Sequence, residues 1–350
     1  MDELLSKSNL KWRDRAREVA RNVVLPKAWH YDRVQEYPWE FRDALRDAEL
    51  FGVWIPEEFG GHGGGVLDLC LVVEELSRAC GGTGVLFAVN ALGSFPILLG
   101  GTQEQKEKYL PDIAAGKRLI AFGLSERDAG SDAGGIATHA RADGDHLVLE
   151  GDKKWNTNGG AADIYSIFAI TDPTSRSRRI SAVIAEKGDE GFEIGRGEDK
   201  MGIRCVPVVE LHFRNCRVPK DRLLGGRAGA GFKHAMQTLD CARPGVAAQA
   251  VGVVHGFGDA QERGVGECFG LLAEHEEANH RDDDDGGDDS DNGGGVEAGA
   301  GAASHGGVVI VDCGRIVRPL IPLVAVGADP GAHDPDHNVG AEDEDASVVG

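Results

Sequence analysis

The chain has 350 residues and carries 58 Asp and Glu against 37 Lys and Arg, a formal net charge of −21 at pH 7. That length accommodates two or three domains, each with its own core, and so acidic a balance disfavours nucleic acid and anionic membrane as partners. The charge is lopsided: residues 254–350 hold 22 Asp and Glu with 4 Arg and no Lys, whereas residues 1–253 are close to neutral and hold all five Trp and all four Tyr.

Met1 to Trp12 lacks the basic-then-apolar design of a secretion signal, so a cytoplasmic protein is expected. Residues 1–117 read as helical. Trp12 to Leu25 has apolar residues at mixed three- and four-residue spacing until Pro26 interrupts it. From Trp39, the residues Phe41, Leu45 and Ala48 share one side, and Gly52 is the expected stop. Gly60 to Gly65 is a glycine-rich loop, Leu67 to Cys80 an amphipathic helix, and Gln103 to Leu110 a short charged helix. Thr83 to Leu99 is uncharged, but it is short for a membrane span and contains Asn90 and Pro96; a buried helix is expected. The seven Cys include no CxxC pair, so neither a zinc site nor a redox dithiol is expected, only scattered core thiols.

Over residues 118–225 the period changes. Leu147-Val-Leu, Ile164 to Ile170, Ile180 to Ala185 and Val208 to Phe213 are short β-rich runs between turn signals. Asp143-Gly144-Asp145 separates two of them as a hairpin turn would. From Gly231 a helix resumes through Phe232, Ala235, Met236, Leu239, Val246, Ala247, Ala250 and Val251. The sequence then turns to Gly256-Phe-Gly-Asp259 and an acidic run at Asp282, a composition that predicts disorder. The expected fold class is therefore α+β. It comprises an N-terminal helical domain (1–117), a middle antiparallel β domain or small barrel (118–225), the start of a C-terminal helical domain (226–253), and an irregular acidic tail (254–350).

No metal site is expected. An EF-hand begun at Asp282 puts Gly286 at an oxygen-ligand position and Gly293 where the bidentate Glu belongs. His275 and His280 stand in an acidic segment without apolar anchors. Gly225 to Gly231 fits no nucleotide-loop pattern and reads as a loop entering a helix.

Five landmarks occur in order: Ala121-Phe-Gly-Leu-Ser-Glu-Arg-Asp-Ala-Gly-Ser-Asp132, Lys153-Lys-Trp-Asn-Thr-Asn-Gly-Gly160, Glu198-Asp-Lys-Met-Gly-Ile-Arg204, Asn215-Cys-Arg-Val-Pro219 with Leu223-Leu-Gly-Gly226, and Thr238-Leu-Asp-Cys-Ala-Arg-Pro244. Together they resemble the acyl-CoA dehydrogenase flavoprotein family over about the first 253 residues. Arg127-Asp128 replaces the commoner Pro-Gly, and Asn156 stands where an aliphatic residue is common.

The resemblance implies FAD as cofactor, with Phe122, Leu124 and Ser125 at the flavin edge. Gly130 and Ser131 would allow close approach of phosphate or ligand oxygens, Trp155 would pack on the ring system, and Thr157 would bond near N5. It also implies that Ser131, Asp240 and Arg243 face an acyl-CoA substrate, that electrons leave to an electron-transfer flavoprotein, and that the family assembles as homo-oligomers. Trp155 as an ordinary core aromatic, and Asp240 with Arg243 as an i,i+3 surface pair, remain alternatives.

The family's base is a Glu in a Tyr-Glu-Gly-Thr-like motif, but no Tyr follows Tyr165; a second placement, just before the helix Arg, holds Ala242. No catalytic base is therefore assigned, and an impaired dehydrogenase is expected. The alternatives are a non-catalytic flavin or acyl-CoA binder and a frameshifted fragment.

Overall fold

The computed structural model describes residues 2–262. The first helix, α1 (Lys7–Val19), starts where Ser6 and Asn9 cap each other: Asn9 N donates to Ser6 Oγ at 3.1 Å and Ser6 N to Asn9 Oδ1 at 2.9 Å. Its Trp12, Ala16 and Val19 face the core, and one π-type turn over Ala20–Val24 ends the element before Pro26. Next come α2 (Ala28–Val34), α3 (Trp39–Asp47), α4 (Val66–Ala79), α5 (Gly81–Gly100) and α6 (Gln103–Ala114). Phe41 and Leu45 are buried as expected, although α3 stops at Asp47, before Gly52.

α5 is the expected buried helix. It is long and apolar enough to cross a membrane by composition, yet 72% of its apolar window lies inside the protein. Asn90, wholly buried, donates to Leu86 O at 2.8 Å and accepts from Ile120 N at 3.0 Å, so this polar side chain joins α5 to the first strand. At Gly93 a Cβ would sit 2.9 Å from Ile120 Cγ1; glycine permits that close helix–strand approach.

The β domain has seven strands: β1 (Ile120–Gly123), β2 (His139–Asp143), β3 (His146–Thr157), β4 (Ile164–Ile170), β5 (Ile180–Glu186), β6 (Phe192–Gly197) and β7 (Val208–Pro219). They follow the order β1-β4-β2-β3-β7-β6, with β5 also on β4. The expected antiparallel pairing is present in β2/β3, β3/β7, β4/β5 and β6/β7. Two parallel joints complete the sheet, β1 on β4 and a single register of β2 on β4 at His139 and Ile170. The hairpin at Asp143-Gly144-Asp145 forms, with Gly144 at φ +59°.

The last described element, α7 (Gly231–Glu262), corrects one expectation: Gly256-Phe-Gly-Asp259 is helical, where composition suggested disorder from residue 254. The reason is packing. A Cβ at Gly252 would collide with Glu74 O, and one at Gly256 with Arg78 O, so the two glycines let α7 lie directly against α4. Arg78 then clamps Asp259, with Nη2 to Oδ1 at 2.6 Å. Ala235 is fully buried, while Phe232, Val246, Val251, Val253 and Val254 are exposed. The remaining expectations for the acidic tail lie outside the described residues.

Candidate functional site

The site is built from the loop after β1 and the distal half of β3. Lys154 N donates to Ser125 O at 3.0 Å, which ties the loop to the strand. Glu126 and Ala129 exchange backbone bonds at 2.9 and 3.2 Å and close a tight turn with Arg127 and Asp128 exposed at its tip. The departure at Arg127-Asp128 is thereby confined to solvent.

Beneath that turn lies an ion pair that sequence patterning did not single out. Lys153 is fully buried, and its Nζ donates to Glu126 Oε1 at 2.7 Å and to Leu124 O at 3.0 Å. Glu126 also accepts from Ala137 N at 2.6 Å and Thr138 N at 3.0 Å. Burial works against the Glu126 carboxylate, but Lys153 and these amide donors outweigh it and hold the group below the usual carboxylate value. Burial draws Lys153 down to about 8 against the pull of Glu126, which leaves it charged at neutral pH. The pair is ionised, because the Lys153 ammonium and the two amides favour the carboxylate and the carboxylate in turn favours the ammonium.

Two residues after this inward anchor the chain turns a side chain outward. The β3/β7 register shifts between Lys153 and Asn156, a bulge in which Trp155 takes φ +60° and leaves its side chain 50% exposed. Left-handed backbone at a bulky residue is strained by about 1–3 kcal/mol and persists only where its surroundings impose it. The core-aromatic alternative for Trp155 is thus excluded. Asn156 points inward, with Nδ2 donating to Val209 O at 3.2 Å. Thr157 ends the strand half-buried, opposite Val208. Asn158 follows at φ +63°, its buried Oδ1 without a donor.

The other expected residues fall around this segment. Phe122 is half-buried against Phe168, with ring centroids 5.1 Å apart, and Leu124 is buried. Gly130 and Ser131 are exposed beyond the turn. A Cβ at Gly130 would meet nothing within 4 Å, so the protein's own packing does not demand glycine there; a group seated on the backbone would. An exposed indole on strained backbone, and an open glycine backbone with a neighbouring hydroxyl, are groups of the kind that hold a planar ligand with polar ends.

Asp240 and Arg243 stand on α7, where they pair with each other, Arg243 Nη1 to Oδ1 at 2.9 Å, both largely exposed. Ala242 between them is half-buried against the core. A separate cleft of about 610 Å³ opens beside the Glu126–Ala129 turn and contains none of Ser125, Ser131, Trp155 and Thr157. Within it Arg214 Nη2 meets Asp152 Oδ1 at 2.6 Å and His212 meets the same carboxylate, while Arg127 and Asp128 line its rim. Among the described residues no group of three or more His, Cys, Asp or Glu is arranged to hold a metal ion.

Comparison with known proteins gives a consistent result. The family model for the acyl-CoA dehydrogenase N-terminal domain matches residues 6–117, and that for the acyl-CoA dehydrogenase middle domain matches residues 121–216. A probable acyl-CoA dehydrogenase of Mycobacterium tuberculosis is 43% identical over 248 residues, 71% of this chain. The match spans 64% of that relative's length. A chain in a solved structure described as the electron transferring flavoprotein of Acidaminococcus fermentans is 44% identical with a TM-score of 0.71, covering 73% of this chain and 67% of that one. An acyl-CoA dehydrogenase complexed with FAD from Bacillus anthracis is 35% identical with a TM-score of 0.65, covering 71% of this chain and 43% of that one.

Proposed function

The chain belongs to the acyl-CoA dehydrogenase family, and we propose that it binds FAD and an acyl-CoA thioester and catalyses α,β-dehydrogenation slowly, with electrons leaving to an electron-transfer flavoprotein. The observation that carries the proposal is Trp155, turned outward by its bulge on the strand that Lys154 N ties to Ser125 of the loop after β1. Ser125, Gly130, Ser131, Trp155 and Thr157 would hold the cofactor. When bound, FAD supplies the acceptor for the β-hydride.

The chain's own residues do the rest. Trp155 offers a flat apolar face, and its strained backbone is fixed before the ligand arrives, which lowers the ordering cost of binding. Ser131 supplies a hydroxyl donor and Gly130 an unobstructed backbone. The Lys153–Glu126 pair keeps loop and strand in register. Arg243 and Asp240, exposed on α7, would exchange their mutual bond for contacts to the acyl-CoA chain.

Removal of the α-proton is the weak step. Ala242 cannot accept a proton, and no other carboxylate among the described residues stands at a position the family uses for its base. Loss of a positioned base costs about two to four orders of magnitude in rate. Anaerobic addition of an acyl-CoA to the FAD-loaded chain tests the proposal. Flavin absorbance should bleach, at a rate at least about a hundredfold below that of a relative with its base in place. Bleaching at a relative's full rate would refute the missing base, and bound flavin with no bleaching at all would leave only a binding role.

A further inference from the structure

The two thiols the fold brings together lie outside the proposed flavin site. Cys80 ends α4 and is the N-cap of α5, and Cys205 sits in the connection between β6 and β7. Their sequence separation hid the relationship, since no CxxC spacing links them. A Cβ added at Gly82 would overlap Cys205 Sγ and lie 3.5 Å from Cys80 Sγ, so glycine is what leaves room for both sulfurs. Both sulfurs thus lie against the one position left open by Gly82. Neither is in a disulfide.

The two positions differ in chemistry. Cys205 is buried, whereas Cys80 is partly exposed at the wall of an apolar groove of about 480 Å³ lined also by Leu25, Gly81, Val253 and Phe257. Small solutes therefore reach Cys80 first. The neighbouring Cys205 thiol and the Gly82 and Thr83 amides at the start of α5 lower the Cys80 pKa from the ordinary thiol value, which favours its thiolate. The Thr83 hydroxyl, in the first turn of α5, is fully buried and has no hydrogen-bond partner. Cys205, buried beside Cys80, is pushed above the usual thiol range. Cys70 lies elsewhere on α4, and its pKa is raised by burial.

We propose that Cys80 and Cys205 form a peroxide-oxidisable dithiol, in which Cys80 is attacked first and Cys205 resolves it into a disulfide linking the α4–α5 corner to the β6–β7 connection. In the first step the Cys80 thiolate attacks the distal oxygen of a hydroperoxide; the O–O bond breaks, S–O forms to give the Cys80 sulfenic acid, and the proximal oxygen departs with the electron pair and takes a proton from solvent to leave as alcohol or water. In the second, the Cys205 sulfur displaces hydroxide from the Cys80 sulfenic acid, and the proton from Cys205 converts that hydroxide to water. The two sulfurs lose two electrons in total, and the hydroperoxide gains them.

The bond would cross from α5 to the segment holding Arg204, whose amide and Nε bond Asp32 on α2, and Pro207, whose carbonyl accepts from Asn158 N. Oxidation would thus fix the segment adjoining Asn158, next to Thr157.

Treatment of the full chain with one equivalent of hydrogen peroxide, followed by alkylation and peptide mass mapping, tests the proposal. The expected result is a cross-linked Cys80–Cys205 peptide lacking two hydrogens, loss of two free thiols, and reversal by dithiothreitol. In Cys205→Ser the same treatment should stop at a Cys80 sulfenic acid that dimedone traps, and in Cys80→Ser, Cys205 should remain reduced. If either Ser variant fails to fold, the wild-type map alone decides. A cross-link from Cys80 to Cys268 or Cys313, oxidation spread evenly over Cys70, Cys80 and Cys241, or a Cys205 alkylated in full after treatment would each overturn it.

Discussion

Lys153 Nζ and Glu126 Oε1 meet at 2.7 Å beneath the loop that carries Ser125 and Ser131, and that buried contact fixes where Trp155 points. Removing one member of a buried ion pair leaves an uncompensated charge and costs about 3–5 kcal/mol. Lys153→Met should therefore lower the urea midpoint by a corresponding amount with the slope unchanged. A loss under about 1 kcal/mol, the range of an exposed pair, would show that the pair is not what holds the loop.

The same pair sets an acid limit. The folded Glu126 carboxyl titrates below its usual value of 4.5, so the folded state binds its proton less readily than the unfolded chain does. Its contribution is complete above the unfolded value and disappears as pH falls through the lower folded value. Wild type should lose stability on acidification below pH 4.5 more steeply than Glu126→Gln, which carries no such titration. Parallel slopes in chemical denaturation between pH 5 and pH 3 would contradict this.

Gly252→Ala and Gly256→Ala set two effects against each other. Alanine gains about 1 kcal/mol of helix propensity, but its Cβ would strike the Glu74 or Arg78 carbonyl, and overpacking costs about 1–3 kcal/mol. Because a backbone carbonyl in α4 has little room to yield, we expect net destabilisation, largest in the double variant. A raised melting temperature in either single variant would mean that α7 does not lie against α4 as described.

Much of the fold was legible because it rests on local signals: the hairpin at Gly144, the apolar spacing of the helices, and the alternating burial of β7. The candidate site was legible through the residues flanking Trp155, but the means of exposing it was not. Strict alternation along β3 would put Lys153 and Trp155 on one face, whereas the bulge buries the first and exposes the second. Gly252 and Gly256 misled for a related reason. In sequence, a glycine at a helix crossing is indistinguishable from one that breaks a helix, and only the position of α4 separates them. The Cys80–Cys205 contact is wholly long-range and left no pattern to find.

Ala242→Glu tests the missing base. A carboxylate at this half-buried position on α7, between Asp240 and Arg243, should raise the rate of anaerobic flavin bleaching by about tenfold or more, with a bell-shaped or rising pH profile that wild type lacks. An unchanged rate in a folded, flavin-loaded variant would mean that position 242 does not face the substrate.

The central claim is that the Trp155 bulge and the Gly130–Ser131 loop hold FAD. Titration of FAD into the chain, followed by flavin fluorescence, measures it directly in wild type, Trp155→Ala and Ser131→Ala. Wild type should bind saturably, and each variant should bind about tenfold more weakly or worse, a loss of about 1.4 kcal/mol, while retaining its fold. Equal affinity in all three, or no saturable binding to a folded wild-type chain, would contradict the claim.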